Sequence, residues 1–528
     1  MSLRSKVTLL CVLCILYLFV FTLPSLHSSQ TIKESVEPSW RWQFDDDTYD
    51  AFSASRPAPP YRSPPPPSDI SNPIESSIVT SITSNSYYTD NNDNNNNNNY
   101  NEQQDPERSF TTTTPPTTTL DPNEKFITFF THSGFQNQLI QVENGILLAW
   151  YLNRTLILPR ALLGEAFGWS YFGKLHLEHT LHDPYHDESM PAKDSCEFYA
   201  EELAFWDIEC PDPTRYATMP FDEIFDLSWA KQHVRIVLRE RSDFEWLDEK
   251  YGIKRGGDDV PELSNGSYVD GDILFFKGET RYDWRIFDTP RKSHRLGKYA
   301  EGLDIYQLRK RKERLIHFSS LFGTGKLPIR RPEHYTFLHT LQRSIIYRHP
   351  TVLSVADKIV NALGGPGNFI GLHVRSSDGW FVKALPENIY NIEQGQGLLL
   401  QGTQQKPDLQ QCLDLAKVGK ATLIYMATDA RSPRSNIAFD PIWSRYPCTF
   451  TMDDLLVPTS PFYHELDAAV DERTGSSLRK FLLPLVDATI ASRGWFFIGS
   501  KGSTFSGYIY RLHDVYWANA KLGQQLQS

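Results

Sequence analysis

The 528-residue sequence has few cysteines and no cluster of basic residues, and these absences exclude several classes of protein. It contains 6 cysteines, and beyond the first two they form no C-x-x-C pair, which argues against a structural zinc site. A formal charge of -11 without a basic stripe argues against nucleic-acid binding. The G-x-G-x-x-G and G-x-x-x-x-G-K-[ST] loops are also missing, which argues against a dinucleotide oxidoreductase and a P-loop kinase. Any anionic ligand must therefore be bound by a local site.

The extreme N-terminus has the composition of a membrane anchor. Residues 7–26 are uncharged and almost entirely apolar over the roughly 20 positions that span a bilayer. Arg4 and Lys6 precede this segment and no further Lys or Arg occurs before Lys33, so residues 1–6 are expected to stay in the cytoplasm. A cleaved signal peptide is the alternative, although the apolar run exceeds the usual signal core of about 7–15 residues. These features predict a single-pass type II protein of the Golgi or endoplasmic reticulum membrane, with its catalytic domain in the lumen.

Residues 27–123 lack the periodic apolar pattern of a folded domain. They contain proline-rich and threonine-rich stretches and an asparagine run over residues 94–99. This composition predicts a disordered stalk. Its threonines and prolines suit O-glycosylation, and the alternative is a disordered tether without glycans.

Four cysteines follow the predicted anchor, and an even number suits disulfide bonds in a secretory compartment. The simplest of the three possible connectivities joins near neighbours in the sequence. It pairs Cys196 with Cys210, and Cys412 with Cys448.

Two N-x-[ST] sequons could carry N-linked glycans in the lumen. Asn265 lies in a polar loop and is the better candidate. Asn153 lies at a predicted junction between a helix and a strand, so we expect it to be less accessible.

Beyond residue 123, apolar strand patterns alternate with helical patterns. The first unit is a strand at residues 126–130, a glycine turn, a long apolar helix, and the strand TLILP. Further strand candidates are VRIVLR, DILFFKG, RLIHFSSLFG, NFIGLHVR, TLIYMATD and WFFIGS. This alternation predicts an α/β fold with parallel sheets. A division near residue 345 gives two halves, residues 124–345 and 346–528, which would face each other across a cleft.

Two polar clusters follow strands of the second half. In HVRSSDGW, Arg375 stands at the carboxyl end of a strand, where its guanidinium could bind a diphosphate bidentately. A surface arginine paired with a nearby carboxylate is the alternative. In ATDARSPRSN, Asp429 could accept from two adjacent donors on the Watson–Crick edge of guanine, or could simply cap a helix.

A third polar cluster, IGSKGSTFSGYIYRL, leads from a strand through a glycine turn into a helix. Its backbone N–H groups and hydroxyls could bind phosphate at the positive end of that helix. The turn THSGFQNQ after the first strand has the same placement, which is where α/β folds bind anionic ligands. A lone D-G-D at residues 270–272 is interpreted as a turn rather than as a metal-binding acidic pair.

Four of these segments, in this order, resemble the GDP-fucose protein O-fucosyltransferase family, especially its fungal-type members. They are SGFQNQLIQVENGILLAWYLNRTLILP, HVRSSD, ATDARS and GSKGSTFSGYIYRL, and the resemblance covers residues 126–513. It implies a GT-B architecture, in which two Rossmann-like domains hold the nucleotide sugar in a cleft. It also implies inverting transfer from GDP-fucose to a protein or glycan acceptor, without a bound metal or other cofactor.

The resemblance further implies the residues of the donor site. They are Gly134, Phe135 and Asn137 near the diphosphate and sugar, His373 and Arg375 of the H-x-R motif, Asp429 on the guanine side, and Ser503, Thr504 and Phe505 on the phosphates. Arg375 is expected to stabilise the leaving group. Asp378 is a candidate catalytic residue, although it falls one position earlier than in some animal members.

Two other functions are compatible with the same residues. The chain could be a GT-B transferase that uses a different nucleotide sugar. It could also be a membrane-tethered sugar-binding protein that has lost catalysis on the same fold.

Overall fold

A computed structural model describes residues 121, 123–164, 168–183, 200–206, 216–257, 266–278, 280, 282–290, 295–323, 325–376, 381–395, 408–471 and 475–527. The predicted cytoplasmic tail, the anchor and nearly all of the stalk lie outside these residues. Asp378, Asn265 and the predicted Cys196–Cys210 pair lie outside them as well. Within the described ranges, no helix has both the length and the apolar composition needed to cross a membrane.

The described part of the chain contains short strands separated by helices. The strands are β1 (Phe126–Phe129), β2 (Thr155–Leu158), β3 (Ala161–Gly164), β4 (Tyr216–Met219), β5 (Ile236–Leu238), β6 (Ser267–Asp270), β7 (Ile273–Phe276), β8 (Trp284–Phe287), β9 (Glu301–Asp304), β10 (Leu315–Phe318), β11 (Ile370–Val374), β12 (Ile424–Thr428), β13 (Thr449–Phe450) and β14 (Phe496–Gly499). The helices are α1 (Phe135–Leu152), α2 (Phe172–Thr180), α3 (Ala200–Trp206), α4 (Phe221–Ile224), α5 (Ser228–His233), α6 (Glu245–Tyr251), α7 (Ile305–Arg309), α8 (Pro332–Ser344), α9 (Pro350–Ala362), α10 (Phe381–Gly395), α11 (Leu409–Lys417), α12 (Asp440–Arg445), α13 (Met452–Leu455), α14 (Pro461–Asp467), α15 (Arg479–Ser492) and α16 (Thr504–Gln527). Two 3₁₀ turns, Pro433–Ser435 and Ile437–Phe439, follow β12.

The first half of the chain forms a six-stranded sheet. Its order is β5-β2-β1-β10-β7-β6, and only the pairing of β6 with β7 is antiparallel. The central strands β1, β2, β7 and β10 are buried at every position. This burial explains their continuous apolar runs, because a parallel sheet is covered on both faces.

The second half forms a four-stranded sheet in which every pairing is parallel, with the order β13-β12-β11-β14. Helices α9 and α15 pack together beside it, and α15 contacts both β11 and β12. Val352, Val355 and Ile359 form the apolar face of α9 and are buried. The prediction of an α/β fold with parallel sheets is therefore confirmed, while the two-domain GT-B arrangement stays a prediction.

The C-terminal helix α16 packs against elements from the first half of the chain. Arg511 of α16 forms an ion pair with Glu143 of α1, whose side chain is buried. The Tyr508 hydroxyl donates to the carbonyl oxygen of Ile345 at 3.2 Å. The aromatic ring of Phe225 lies 5.4 Å from Phe135 at the start of α1 and 5.9 Å from Tyr508 in the second turn of α16. The Phe225 ring therefore lies between the start of α1 and the second turn of α16.

Two predictions about local chemistry are confirmed. A disulfide joins Cys412 of α11 to Cys448, the residue before β13. The D-G-D segment is the hairpin turn between β6 and β7, where Gly271 has a positive φ of 57°. The buried Asp270 carboxylate accepts from Arg255 Nε at 2.8 Å and from the Gly256 backbone N–H at 2.6 Å, so it has a structural role.

The expected low accessibility of Asn153 is wrong. Asn153 caps the C-terminus of α1 in the left-handed region, with φ 53°, and its side chain is exposed. The following Thr155 is buried and its hydroxyl donates to Glu124 Oε1. The left-handed cap ends the helix at Asn153, and the Asn153 side chain faces solvent at this junction between helix and strand.

Candidate functional site

Three polar residues emerge at one edge of the second sheet because its strands are parallel. β11 pairs in register with β12 from Ile370 to Val374, and with β14 on its other side. Arg375, Asp429 and Ser500 each follow one of these strands directly. The carboxyl ends of parallel strands are where α/β sheets place their ligands. The structure therefore brings the predicted Arg375 and Asp429 together.

Arg375 and Asp429 form an ion pair that is supported by a third residue. Arg375 Nε lies 3.0 Å from Asp429 Oδ2. The other carboxylate oxygen, Oδ1, accepts from the Ser376 backbone N–H at 2.7 Å and from the Ser376 hydroxyl at 3.0 Å. Arg375 and Asp429 remain 32% and 23% exposed, so the pair is open to a ligand in solution.

Ser500 fixes the main chain of the same residues from the β14 side. Its hydroxyl oxygen accepts from the Arg375 backbone N–H at 2.9 Å, and its own backbone N–H donates to the His373 carbonyl oxygen at 3.0 Å. Sequence reasoning missed both Ser376 and Ser500. The available signal was that Ser376 directly follows, and Ser500 ends, a predicted strand.

His373 lies inside the protein and holds the start of α16. Its ring is 2% exposed, its Nδ1 lies 2.6 Å from Ser506 Oγ, and its ring centre is 4.8 Å from that of Phe505. Burial lowers the pKa of His373 to about 3, so the imidazole is neutral at physiological pH. Among the described residues the His373 ring contacts Ser506 and Phe505 of α16, and its contact with the nucleotide stays a prediction.

The turn between β14 and α16 is built from small residues that permit close packing. A Cβ atom on Gly499 would lie 2.6 Å from Ser506 Cβ, and Gly502 has a φ of 75°. The Ser503 hydroxyl accepts from the Ser506 backbone N–H at 3.3 Å and so caps the helix. Thr504 is exposed at the first helical position. Of the three predicted phosphate residues, Phe505 is the one that packs against His373.

A cavity of about 570 Å³ lies beside the ion pair and is lined by Ser376, Asp429, Ala430, Arg431 and Asn436. The Arg431 side chain is exposed and has no hydrogen-bond or ion-pair partner among the residues that the structure describes. Among the described residues here, the charges of Arg375 and Asp429 offset each other and Arg431 adds one positive charge. Sequence reasoning missed Arg431, although it lies two positions after Asp429.

The amides of the turn after β1 mostly have structural partners. Gln138 Nε2 donates to the Leu162 carbonyl at 2.8 Å, and the Leu162 N–H donates to Gln138 Oε1 at 2.9 Å. The Gln138 side chain thus makes with Leu162 of β3 the two hydrogen bonds that a neighbouring strand would make. Gln136 Nε2 donates to the Tyr347 hydroxyl at 2.9 Å. The polar character of SGFQNQ therefore comes largely from fixing α1 to its surroundings.

The predicted site residues of this turn differ in what they offer a ligand. Gly134 is exposed at the N-cap of α1, and a Cβ atom there would meet no atom within 4 Å. Phe135 stacks on Phe225 at 5.4 Å, which gives it a packing role. The Asn137 Oδ1 atom is buried and has no hydrogen-bond partner among the described residues. Buried polar atoms are normally paired. Of Gly134, Phe135 and Asn137, it is therefore Asn137 whose side-chain oxygen could accept a hydrogen bond from a ligand.

Comparisons with known proteins give a distant structural likeness. No protein-family model matches the chain, and no curated protein matches it either. The structure is similar to POFUT1 in complex with GDP-fucose, with 14% identity and a TM-score of 0.33 over 75% of this chain and 95% of that one. It is similar to the NodZ α-1,6-fucosyltransferase soaked with GDP-fucose, with 13% identity and a TM-score of 0.34 over 74% and 92% of the two chains. A NodZ fucosyltransferase from Bradyrhizobium gives 13% identity and a TM-score of 0.32 over 73% and 93%. A likeness at this level says nothing about the reaction.

Proposed function

We propose that the chain is a glycosyltransferase that transfers fucose from GDP-fucose to a hydroxyl acceptor, with a Ser or Thr of a protein as the first candidate, and with inversion. The observation that carries the proposal is the Arg375–Asp429 pair at the carboxyl edge of a parallel sheet, 3.0 Å apart, next to the start of α16. The order of the four sequence segments supports the fucose donor and the protein acceptor.

The chemistry of this edge suits a departing diphosphate. Cleavage of the bond between the sugar and the diphosphate places additional negative charge on the diphosphate in the transition state. Donors that are already oriented there stabilise that state more than the bound substrate. Arg375 would supply a charged fork, and the backbone N–H groups at the start of α16 would supply a positive helix end. Arg431 would add attraction for the bound anion.

The acceptor hydroxyl must lose a proton during transfer. Asp378 is a candidate for this step on its position alone. It follows Arg375 by three positions, and so lies near the leaving-group arginine along the chain.

The donor is tested by release of the nucleoside diphosphate, GDP or UDP, from a panel of nucleotide sugars with the full-length chain in detergent. We expect GDP-fucose to be turned over at least about 10-fold faster than GDP-mannose or a UDP-sugar, because transition-state contacts discriminate donors. A faster reaction with another donor would favour the alternative of a different GT-B transferase. Binding of GDP and UDP by calorimetry tests the third function, since a chain that binds neither nucleotide and releases neither from any donor would favour the non-enzymatic protein.

We also propose the type II membrane orientation, and the exposed Asn153 provides its test. In microsomes, the full-length chain should carry a glycan at Asn153, so that an endoglycosidase lowers its apparent mass. Asn153→Gly should remove that shift while preserving the left-handed cap, because glycine adopts a φ of 53° readily. An Asn265→Gln variant measures the other sequon separately. A chain without glycan at either position, digested by protease in intact microsomes, would show that the orientation is wrong.

A further inference from the structure

We infer, on the basis of the proposed function, that Ser133 and His132 form the pair that removes the proton from the acceptor hydroxyl. Ser133 is the catalytic residue that contacts this hydroxyl. The His132 ring takes up the proton through the Ser133 hydroxyl. The pair gives the transfer reaction a proton acceptor among the residues that the structure describes.

The pair lies at the carboxyl edge of the first sheet. His132 and Ser133 follow β1 within a few residues, and Ser320 follows the neighbouring strand β10 in the same way. β1 and β10 are parallel and in register as far as Phe129 and Phe318. The carboxyl ends of parallel strands meet at one edge, and this edge is where α/β sheets bind their ligands.

Four side chains at this edge form a directed chain of hydrogen bonds. Gln141 Nε2 donates to the His132 carbonyl oxygen at 3.0 Å, which leaves Gln141 Oε1 as an acceptor. The Ser320 hydroxyl donates to that Oε1 atom at 3.5 Å, and Ser320 Oγ lies 2.7 Å from His132 Nε2. A hydroxyl has one hydrogen to donate, so the hydrogen between Ser320 and His132 belongs to Nε2. His132 Nδ1 therefore has a lone pair, and the Ser133 hydroxyl donates to it at 2.8 Å.

Ser133 is held in an unusual backbone conformation. Its φ is 66°, in the left-handed region that serine seldom adopts. Such a conformation costs free energy, and residues that keep one cluster at functional sites. Ser133 is partly exposed and the next residue, Gly134, is exposed, whereas His132 is fully buried. Ser133 is thus the member of the pair that a ligand can reach.

One aromatic ring connects this turn with the helix that begins at the proposed phosphate site. Phe135, two residues after Ser133, stacks on Phe225, and the Phe225 ring lies 5.9 Å from that of Tyr508 in α16. In an inverting displacement the acceptor attacks the face of the sugar opposite to the departing diphosphate. The proton acceptor and the leaving-group donors must therefore lie on opposite sides of the sugar. Ser133 follows a strand of the first sheet and Arg375 follows a strand of the second, which suits this requirement.

The proton leaves the acceptor by two transfers that need no further reactant. The acceptor oxygen bonds to the sugar carbon while the bond from that carbon to the diphosphate breaks, and the electron pair of the broken bond leaves with the diphosphate. The acceptor proton moves to Ser133 Oγ as the Ser133 hydroxyl proton moves to His132 Nδ1. The resulting imidazolium keeps its Nε2–H bond to Ser320 Oγ and then releases one proton to water. Proton removal by a positioned base contributes about 10²–10⁴-fold to the rate of such reactions.

The test measures GDP release from GDP-fucose by the full-length chain, with water as the acceptor. Ser133→Gly removes the hydroxyl and retains the turn, because glycine adopts a φ of 66° without strain. We expect kcat to fall about 10²-fold and the Kd for GDP to stay within about twofold, since the pair acts on the acceptor and not on the nucleotide. Sodium azide should restore GDP release by this variant, because the azide anion attacks without losing a proton. An unchanged kcat, or a loss that azide does not restore, would overturn the inference.

His132→Gln and the double variant test whether the two residues act as one unit. His132→Gln removes the ring that takes up the proton, so kcat should fall about as far as in Ser133→Gly. Both changes together should cost no more than about twofold beyond either one. Losses that multiply would show separate roles and contradict the pair. Because His132 is buried, a thermal melt accompanies the kinetics, and Ser133→Gly with azide decides the outcome if His132→Gln does not fold.

Asn153→Gly is the matched control. It also places glycine at a residue with a positive φ, here 53°, at the other end of the 18-residue helix α1. The length of the helix separates the two positions by about 27 Å, so GDP release should equal that of the unmodified chain. If Asn153→Gly lowers kcat as much as Ser133→Gly, the effect passes through the fold and the inference is wrong.

Two further outcomes separate the pair from Asp378 and from the proposed function. If Asp378→Asn lowers kcat and azide restores it, while Ser133→Gly has no effect, Asp378 is the base and the pair is not. An unmodified chain that releases no GDP from GDP-fucose would remove the proposed function. A chain that releases GDP equally fast with and without the Ser133 hydroxyl would remove the inference alone.

Discussion

Arg375→Ala is expected to reduce donor turnover by about 10²-fold, the loss that follows removal of one oriented transition-state donor. The physical reason is its placement at the end of β11, where Asp429 and Ser500 fix it. Stability should change by less than about 1 kcal/mol, since a partly exposed ion pair contributes little to the free energy of unfolding. Steady-state kinetics with GDP-fucose and a thermal melt of the same preparation measure both quantities.

Arg375→Lys separates the effect of the positive charge from the effect of the guanidinium shape. Lysine restores the charge but cannot reproduce the bidentate fork, and it has no Nε–H in the position that Asp429 binds. It should therefore recover only part of the turnover. A folded Arg375→Ala protein with nearly unchanged turnover would contradict the assignment and move leaving-group stabilisation to the turn at Ser503 alone.

The sequence could predict the strands that carry this site because their patterns are local. NFIGLHVR, TLIYMATD and WFFIGS contain β11, β12 and β14, and Arg375 and Asp429 directly follow the first two of these strands. A buried parallel strand is a continuous apolar run, and the first polar residue after it marks its carboxyl end. Arg375 and Asp429 were found in this way.

The sequence could not predict the partners of these residues, because the partners are set by tertiary contacts. Ser376 and Ser500 look like ordinary loop serines until the sheet order places β12 and β14 on either side of β11. His373 was assigned to the ligand from its motif, and the hydrogen bond between its ring and Ser506 of α16 was not predicted. A contact across 133 residues has no local signal in one sequence.

The glycine of β11 is a second feature whose cause is a tertiary contact and so has no local signal in the sequence. Gly371 is the second residue of the strand that precedes Arg375, and a glycine inside a strand weakens it unless another backbone approaches closely. The structure supplies that reason. A Cβ atom on Gly371 would lie 2.0 Å from the carbonyl oxygen of Ala491 in α15. The helix backbone therefore packs directly on the strand at this point.

Gly371→Ala is accordingly expected to destabilise the protein by about 3 kcal/mol or more, at or above the upper end of the usual range of roughly 1–3 kcal/mol for overpacking. The clash is with a backbone atom, so no side-chain rotation relieves it, and either α15 or β11 must shift. A shift of β11 would also move Arg375 from Asp429, so turnover should fall in any protein that remains folded. Thermal or denaturant unfolding beside the kinetics measures the two effects.

Gly507→Ala is the control with the same chemical change. Gly507 lies in α16, and a Cβ atom there would meet no atom within 4 Å. Since alanine favours a helix over glycine by about 1 kcal/mol, this variant should be as stable as the unmodified chain or slightly more so. If Gly371→Ala melts at the same temperature as Gly507→Ala, α15 does not press on β11 at this position, and close helix packing does not fix the strand end that carries Arg375.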